Sequence, residues 1–379
     1  MFIVVGLLFL IFIFFCNYYI AKRLHRGITE LLPKAPFWAI LSPLLALSVI
    51  AILGFIRPNL PNTIKIILEV ISSYWMAIFV YLFFLTALAD LITLIIKLFN
   101  KDLIKKKLYK IISSILVIVV TATTVILGAQ NAAEIDHVSY QVKIKNETDI
   151  SDLNIVLLSD LHLGSVGSEA RLDNIVNKIN SLKPDVVCFA GDFFDTDFSA
   201  TRNPKRAIKT LKGIKSTYGT YACLGNHDAG KTLPQMENFL KDASITLLAE
   251  NYTVIDKRLV LAGRLDSSPI GSNKNQKRKD FNKIIAEKDK TLPTIVLDHN
   301  PKNISEYNGN ADLILCGHTH KGQMFPLNLI TSLIYDVDYG QYSSKSNVQA
   351  IVTSGIGYWG PPVRVGTNSE IVSIKIVSR

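Results

Sequence analysis

The chain has 379 residues, more than one ordinary domain holds, and 49% of them are hydrophobic. Its formal charge of +10 is unevenly spread: residues 1–133 carry 12 Lys+Arg against 4 Asp+Glu, and the remainder carries 29 against 27. The balanced remainder argues against a nucleic-acid partner, and four scattered cysteines (Cys16, Cys188, Cys223, Cys316) without CxxC spacing read as buried free thiols, with Cys188 and Cys223 able to pair only if their strands are neighbours.

Residues 2–20 are almost wholly apolar and long enough to span a bilayer. No basic residue precedes them and no small-residue cleavage site follows, so they read as a retained helix rather than a signal peptide. Further apolar stretches predict spans at 37–56, 70–92 and 108–127, an all-α bundle of about four helices within 1–133. Glu69 and Asp90 fall near the ends of the third stretch and are expected at the membrane interface. Lys22, Arg23, Arg26 and Lys34 lie between the first two spans, with His25 among them in the loop. Lys97, Lys101, Lys105, Lys106, Lys107 and Lys110 lie between the last two, whereas only Arg57 and Lys65 separate the second from the third. The positive-inside bias puts the first and third loops in the cytoplasm and the C-terminal domain outside it, with the bundle read as an anchor.

From residue 134 the texture changes to short apolar runs alternating with amphipathic stretches, which predicts a layered α/β domain over 134–379. His137 falls in what reads as the linker into it. The run 155–158 ends in Asp160-Leu161-His162-Leu163-Gly164, and a continued strand period would set Asp160 and His162 on one side. Leu172, Ile175, Val176, Ile179 and Leu182 recur at helical spacing until Lys183-Pro184-Asp185 stops the helix. Buried strands are predicted at 186–190, 221–224, 294–297, 313–316 and 348–352. The Lys- and Asn-rich stretch 271–290 predicts a solvated helix with a mobile entry.

Polar clusters stand where these runs end. After Asp160 and His162 come Gly191-Asp192-Phe193-Phe194-Asp195, Gly225-Asn226-His227-Asp228, Asp298-His299-Asn300-Pro301 and Gly317-His318-Thr319-His320. Five of the seven histidines fall in them. Alone, an Asp-x-His or a Gly-Asn-His-Asp usually closes a turn, and a single histidine such as His299 is usually satisfied by backbone. Clusters at five successive strand ends point instead to one site at the carboxyl edge of a sheet. Asp, Asn and neutral imidazole without thiolate suit Mn, Fe, Zn or Ni in a water-accessible site. Two such ions need a bridging carboxylate and lower the pKa of a shared water. The glycines before Asp192, Asn226 and His318 let the chain turn without a Cβ.

This ordered set resembles the calcineurin-like metallophosphoesterases over about 150–379, with all five blocks present. Lys183-Pro184-Asp185, Gly322-Gln323, Gly355-Ile356-Gly357 and Pro361-Pro362-Val363-Arg364 make it most similar to the membrane-associated bacterial branch. The resemblance implies a four-layer α/β/β/α sandwich with a centre of two divalent or trivalent ions (Mn, Fe or Zn) between sheet edges. It implies that Asp160, His162 and His320 hold the first ion, that Asn226, His299 and His318 hold the second, and that Asp192 bridges both. His227 would meet the phosphoryl or leaving oxygen, with Asp195 orienting its imidazole. The ions would activate a shared water for in-line attack on phosphorus. Arg364 could contact substrate phosphate or form a structural ion pair. Thr196 stands where the family's protein phosphatases carry arginine, which argues against phosphoprotein substrates, and Lys321 replaces a usual glycine at the substrate entrance.

The expected function is a membrane-anchored, metal-dependent hydrolase of a phosphodiester, phosphomonoester or pyrophosphate bond. A lipid-linked or nucleotide-containing substrate is favoured, because anchoring raises the effective concentration of headgroups. The alternative is an inert phosphoesterase-like domain of a membrane sensor or transporter; such a domain would have lost ligands, and none is missing.

Overall fold

In the computed structural model the four apolar stretches form helices α1 (Phe2–Leu31), α2 (Trp38–Ile56), α3 (Asn62–Phe99) and α4 (Lys107–Ala133). The structure describes residues 2–56, 60–144, 152–195, 197–271, 277–343 and 348–378, so Arg57, Thr196 and residues 272–276 of the stretch expected to be solvated lie outside it. Contacts divide the chain into two units: Met1–Gln130 with Pro361–Val363, and Asn131–Gly360 with Arg364–Arg379.

Among the described residues of the first unit, three helices are long and apolar enough to cross a membrane, over Val4–Leu31, Thr63–Phe99 and Lys107–Ala133, while the apolar helix Trp38–Gly54 is shorter. The helices outrun the predicted spans because Lys and Arg are good helix formers and nothing stops α1 before Pro33. Lys22, Arg23, His25 and Arg26 therefore lie inside α1 rather than in a loop, as Lys65 and Lys97 lie inside α3 and Lys107 and Lys110 inside α4. The ring of His25 reaches the Ala35 carbonyl at 3.0 Å. Asp90 is held within the bundle by Arg23 Nε at 2.6 Å and by the Tyr19 hydroxyl, which donates at 2.9 Å. Ile20, Leu24, Leu41, Trp75, Leu82 and Val117 form the core of this unit.

The second unit contains β1 (Ile135–Ile144), β2 (Asn154–Leu158), α5 (Leu172–Ser181), β3 (Val186–Ala190), α6 (Pro204–Leu211), β4 (Thr220–Cys223), α7 (Leu233–Asp242) and β5 (Thr246–Leu247). It continues through β6 (Asn251–Ile255), β7 (Leu259–Gly263), α8 (Phe281–Ile284), β8 (Thr294–Leu297), β9 (Leu313–Cys316), α9 (Leu327–Ile334), β10 (Gly340–Ser343), β11 (Gln349–Val352) and β12 (Ser369–Ser378). Two six-stranded sheets result, ordered β1-β12-β2-β3-β4-β5 and β10-β11-β9-β8-β7-β6. Within the first, β2 to β5 run parallel; within the second, β7, β8, β9 and β11 do.

Parallel strands covered on both faces need near-continuous apolar runs, which β3 and β9 supply throughout and β2 and β8 supply after their first residues, Asn154 and Thr294. Ile155, Leu157, Val186, Leu261, Ile295 and Leu313 fill the space between the sheets. Val156, Val187 and Phe189 turn the other way, against Ile175, Ile179, Leu211 and Phe239. On the far side, Phe281 and Ile284 pack against Val296, Ile314 and Val352. The layers are the expected α/β/β/α.

Two local expectations change. His137 is not in a linker but in β1, opposite Ile371 of β12, a pairing that no local pattern announces. Part of the stretch expected to be solvated is α8, whose Phe281 and Ile284 are buried. Cys188 and Cys223 do lie on neighbouring strands, but Cys188 faces Tyr221 and Cys223 faces Ala190, and all four thiols are free and buried.

Candidate metal centre

The five clusters follow β2, β3 and β4 of one sheet and β8 and β9 of the other, and β3 packs against β8. Five of the seven ligand-type residues have left-handed backbone: φ is 57° at Asp160, 47° at His162, 54° at Asp192, 75° at His318 and 49° at His320. Asp160 and His162 thus converge through two reversed turns and not through a continued pleat. Each such non-glycine residue costs about 1–3 kcal/mol and persists only where its surroundings fix it. Here the Asp160 N–H donates to the Gly191 carbonyl at 3.0 Å and the His162 N–H to the Asp192 carbonyl at 3.1 Å. Gly191 is needed both for its φ of 83° and for close approach, since a Cβ there would lie 2.7 Å from Gly225 N and from His299 Nδ1.

Side chains from these loops form two groups. Asp160, His162 and His320 offer ligand atoms all within 4.8 Å of one another, as do Asp192, His299 and His318. In the first group His320 Nε2 stands 3.2 Å from His162 Nε2 and 3.3 Å from Asp160 Oδ1. In the second, His299 Nε2 stands 3.1 Å from Asp192 Oδ2 and 3.3 Å from His318 Nδ1. Asn226 Oδ1 joins the second group, 2.9 Å from His318 Nδ1 and 3.2 Å from His299 Nε2. Asp192 Oδ2 is also 3.8 Å from His162 Nε2, so one carboxylate oxygen faces both groups. All seven residues expected to bind metal are brought together.

Burial governs the charges. It pushes the Asp160 carboxyl up, and it pulls His162 and His320 down and His318 down to about 3. It would raise Asp192 as well, but the imidazoles of His299, His162 and His227 outweigh it and hold that carboxyl below the usual range. Burial likewise opposes the charged form of His299, yet Asp192, Asp160 and Asp266 raise it well above an ordinary histidine. At Asp160 burial outweighs the positive charge beside it, and a buried carboxylate requires a cationic partner. Neutral ring nitrogens, carboxylates and an amide oxygen, with no thiolate, fit two ions of the manganese, iron or zinc type.

The remaining expected residues stand around these two groups. His227 is fixed twice: its N–H donates to Asp192 Oδ1 at 2.9 Å, and its Nδ1 bonds the main-chain carbonyl of Asp195. The Asp195 side chain stands beside the same site, its Oδ1 3.8 Å from His162 Nδ1. Arg364 was expected at substrate phosphate or in an ion pair, but its side chain is fully buried. Its guanidinium donates to the carbonyls of Ser354, Gly357 and Asn368 at 2.7, 2.6 and 2.9 Å, and Nη2 lies 3.4 Å from His320 Nδ1. Arginine is consumed there in pinning a loop behind His320.

Sequence reasoning gave no role to Asp228. Its buried carboxylate accepts the N–H groups of Phe193, Phe194 and Gly225 at 3.1, 3.0 and 2.9 Å, locking the Asp192 loop to the Asn226 loop. The available signal was an acid directly after His227, where two tight loops would each need an acceptor. Lys321 Nζ sits 4.0 Å from the centre of the Tyr339 ring.

Residues 153–322 match the family model for calcineurin-like phosphoesterases. The chain is 30% identical over 381 residues to an uncharacterized metallophosphoesterase of Campylobacter jejuni, covering 98% of this chain and 99% of that one. It is 31% identical over 274 residues to a transmembrane protein with metallophosphoesterase domain from Danio rerio, covering 69% of this chain and 62% of that one. It is 29% identical over 224 residues to the UDP-2,3-diacylglucosamine pyrophosphatase LpxG of Chlamydia muridarum, covering 48% of this chain and 67% of that one. Three apolar helices and transmembrane relatives make it a membrane protein. Because the Campylobacter relative matches end to end and the family model covers all five clusters gathered at the sheet edges, the chain belongs to the calcineurin-like phosphoesterases, dinuclear-metal-dependent hydrolases of phosphoester bonds.

Proposed function

We propose that this chain is a membrane-anchored phosphoesterase that cleaves a phosphodiester, phosphomonoester or pyrophosphate bond in a lipid-linked or nucleotide-containing substrate. The observation that carries the reading is Asp192 Oδ2, set 3.1 Å from His299 Nε2 and 3.8 Å from His162 Nε2, where a bridging ligand has to be. Asp160, His162 and His320 would hold one ion, and Asn226, His299 and His318 the other. When bound, such ions neutralise phosphate oxygens and lower the pKa of a shared water. His227, with Nδ1 taken by the Asp195 carbonyl, keeps Nε2 for proton exchange with the leaving oxygen. Arg364 positions His320 from behind.

The membrane helices and the similarity to a pyrophosphatase named for a diacylated nucleotide sugar support the lipid-linked class. If all four apolar helices span, the basic residues gathered near the α1–α2 and α3–α4 connections support a hydrolase domain outside the cytoplasm. Hydrolysis of bis-p-nitrophenyl phosphate by the purified chain, with metal content measured alongside, tests the catalytic reading: turnover should track bound Mn, Fe or Zn. A metal-loaded chain that cleaves no phosphoester in a broad panel would overturn it. Protease accessibility on intact cells tests the sidedness.

A further inference from the structure

Helix α9 is turned inside out. Leu329, Ile330, Leu333 and Ile334 are 54%, 52%, 87% and 61% exposed, whereas Thr331 points inward, its hydroxyl donating to Asp338 Oδ2 at 2.7 Å. Phe325 and Trp359, also exposed, extend the same surface, and the Gln323 side chain clamps Trp359 to it through both main-chain groups at 2.9 Å. These six make up most of the large exposed apolar side chains described after residue 133; the others are Val254 and Ile270. Each leucine or isoleucine left in water forgoes the gain of burial, so a patch of this kind marks a surface that something covers.

Two observations choose the cover. From Phe325 to Tyr335 no residue is charged, and a tryptophan and a tyrosine flank the aliphatic stripe, the composition of a helix lying in a lipid interface. The same chain carries helices apolar enough to cross a membrane, so a bilayer is always at hand. The patch is also joined to the metal centre. The hydroxyl of Thr319, between His318 and His320, donates to the Asp338 carbonyl at 2.6 Å, and the Tyr335 ring centre lies 6.0 Å from that of His318.

We infer that α9, with Phe325 and Trp359, is an interfacial helix immersed in the hydrocarbon of a lipid surface, so that the metal centre beside it meets phosphoesters presented by that surface. The second clause rests on the phosphoesterase reading above; the first does not. An amphiphile whose acyl chains lie along Leu329 and Leu333 would bring its polar head towards His318 and His320.

The full chain reconstituted in vesicles of equimolar phosphatidylethanolamine and phosphatidylglycerol provides the test. Leu333→Cys can be labelled selectively with bimane because the four native thiols are buried. A nitroxide carried on lipid acyl chains should quench this label more strongly than aqueous iodide does, with the opposite order at a Lys205→Cys control on exposed α6. Iodide dominance at position 333, or shielding from both quenchers, overturns the inference, the latter showing that protein covers the patch. In the Leu329→Ser/Leu333→Ser chain, turnover of a lipid-linked phosphodiester relative to bis-p-nitrophenyl phosphate should fall about tenfold, a fraction of the transfer free energy of two leucines. An unchanged ratio would sink the substrate clause alone, while a wild-type chain inert on both substrates would sink the phosphoesterase reading and leave the quenching result standing.

Discussion

Asp192 accepts the main-chain N–H of His227 at 2.9 Å through Oδ1 while its Oδ2 faces both ligand groups. A single carboxylate thereby registers the proton-transfer histidine against the metal centre. Asp192→Asn keeps the shape and removes the charge. Metal content and hydrolysis should fall together, turnover by more than about 100-fold, exceeding what loss of an outer-shell partner costs. Plasma emission on the purified variant alongside its rate checks this, and undiminished hydrolysis would refute the bridging role.

Chelation should act on stability as well as on rate. Two bound ions lower the free energy of the folded domain by mass action, about 2.7 kcal/mol for one site at 100 times its Kd. Dialysis against EDTA should abolish turnover and lower the melting temperature by several degrees, and one of Mn, Fe or Zn should restore both. A chain whose melting and turnover ignore EDTA does not use these residues as ligands.

Arg364 separates a substrate contact from a structural one. If its guanidinium only ties down Ser354, Gly357 and Asn368, Arg364→Gln leaves buried carbonyls unpaired at about 1–3 kcal/mol each. Melting should drop by several degrees, and kcat should fall with loss of His320 alignment while KM moves little. A raised KM with unchanged melting would return Arg364 to the substrate.

How much of this was legible depends on the range of the physics. The ligands could be read because each obeys a local grammar, an apolar run ending in a tight loop with a polar side chain, as at Leu158 to Asp160 and Cys316 to His318. The way Asp160 and His162 converge could not, since the pleat predicts the same side for a different reason and left-handed φ in a non-glycine residue leaves no mark in the sequence. Arg364 after two prolines reads as a substrate contact or an ion-pair partner; only the fold of the chain around it buries it against main-chain carbonyls. His137 reads as a linker residue because β12, the partner of β1, lies more than two hundred residues away. No element is predicted over 327–334, so α9 and its outward apolar face emerge only from the structure.

Two glycines make opposite predictions from different causes. A Cβ on Gly317 would overlap Ser159 Oγ and lie 2.5 Å from Asp160 Oδ2, although its φ is ordinary; one on Gly309 meets nothing within 4 Å, although its φ is 77°. Gly317→Ala should displace the Asp160 carboxylate and cut turnover about 10–100-fold, in the range of displaced metal ligands. Gly309→Ala should cost about 1 kcal/mol of stability from left-handed strain and leave turnover intact. Equal losses of turnover in both would mean that general destabilisation, rather than ligand position, sets the rate.

The ion pair between Arg23 and Asp90 decides what the helix bundle's charges are for. Arg23 Nε is 2.6 Å from Asp90 Oδ1, and Arg23 Nη2 donates to Ser113 at 3.1 Å, so these side chains connect α1, α3 and α4. If the pair is a structural tie, Arg23→Met and Asp90→Asn should each lower bundle stability by about 1–3 kcal/mol, because each leaves the other partner unmatched. The double change should cost less than the sum, because it removes both halves of the mismatch. Melting followed by Trp38 and Trp75 fluorescence in a Trp359→Phe background reads the bundle and not the hydrolase domain. Additive single effects would show that the two residues do not act on each other, and a stability that ignores all three changes would move the charges from holding helices together to handling an ion.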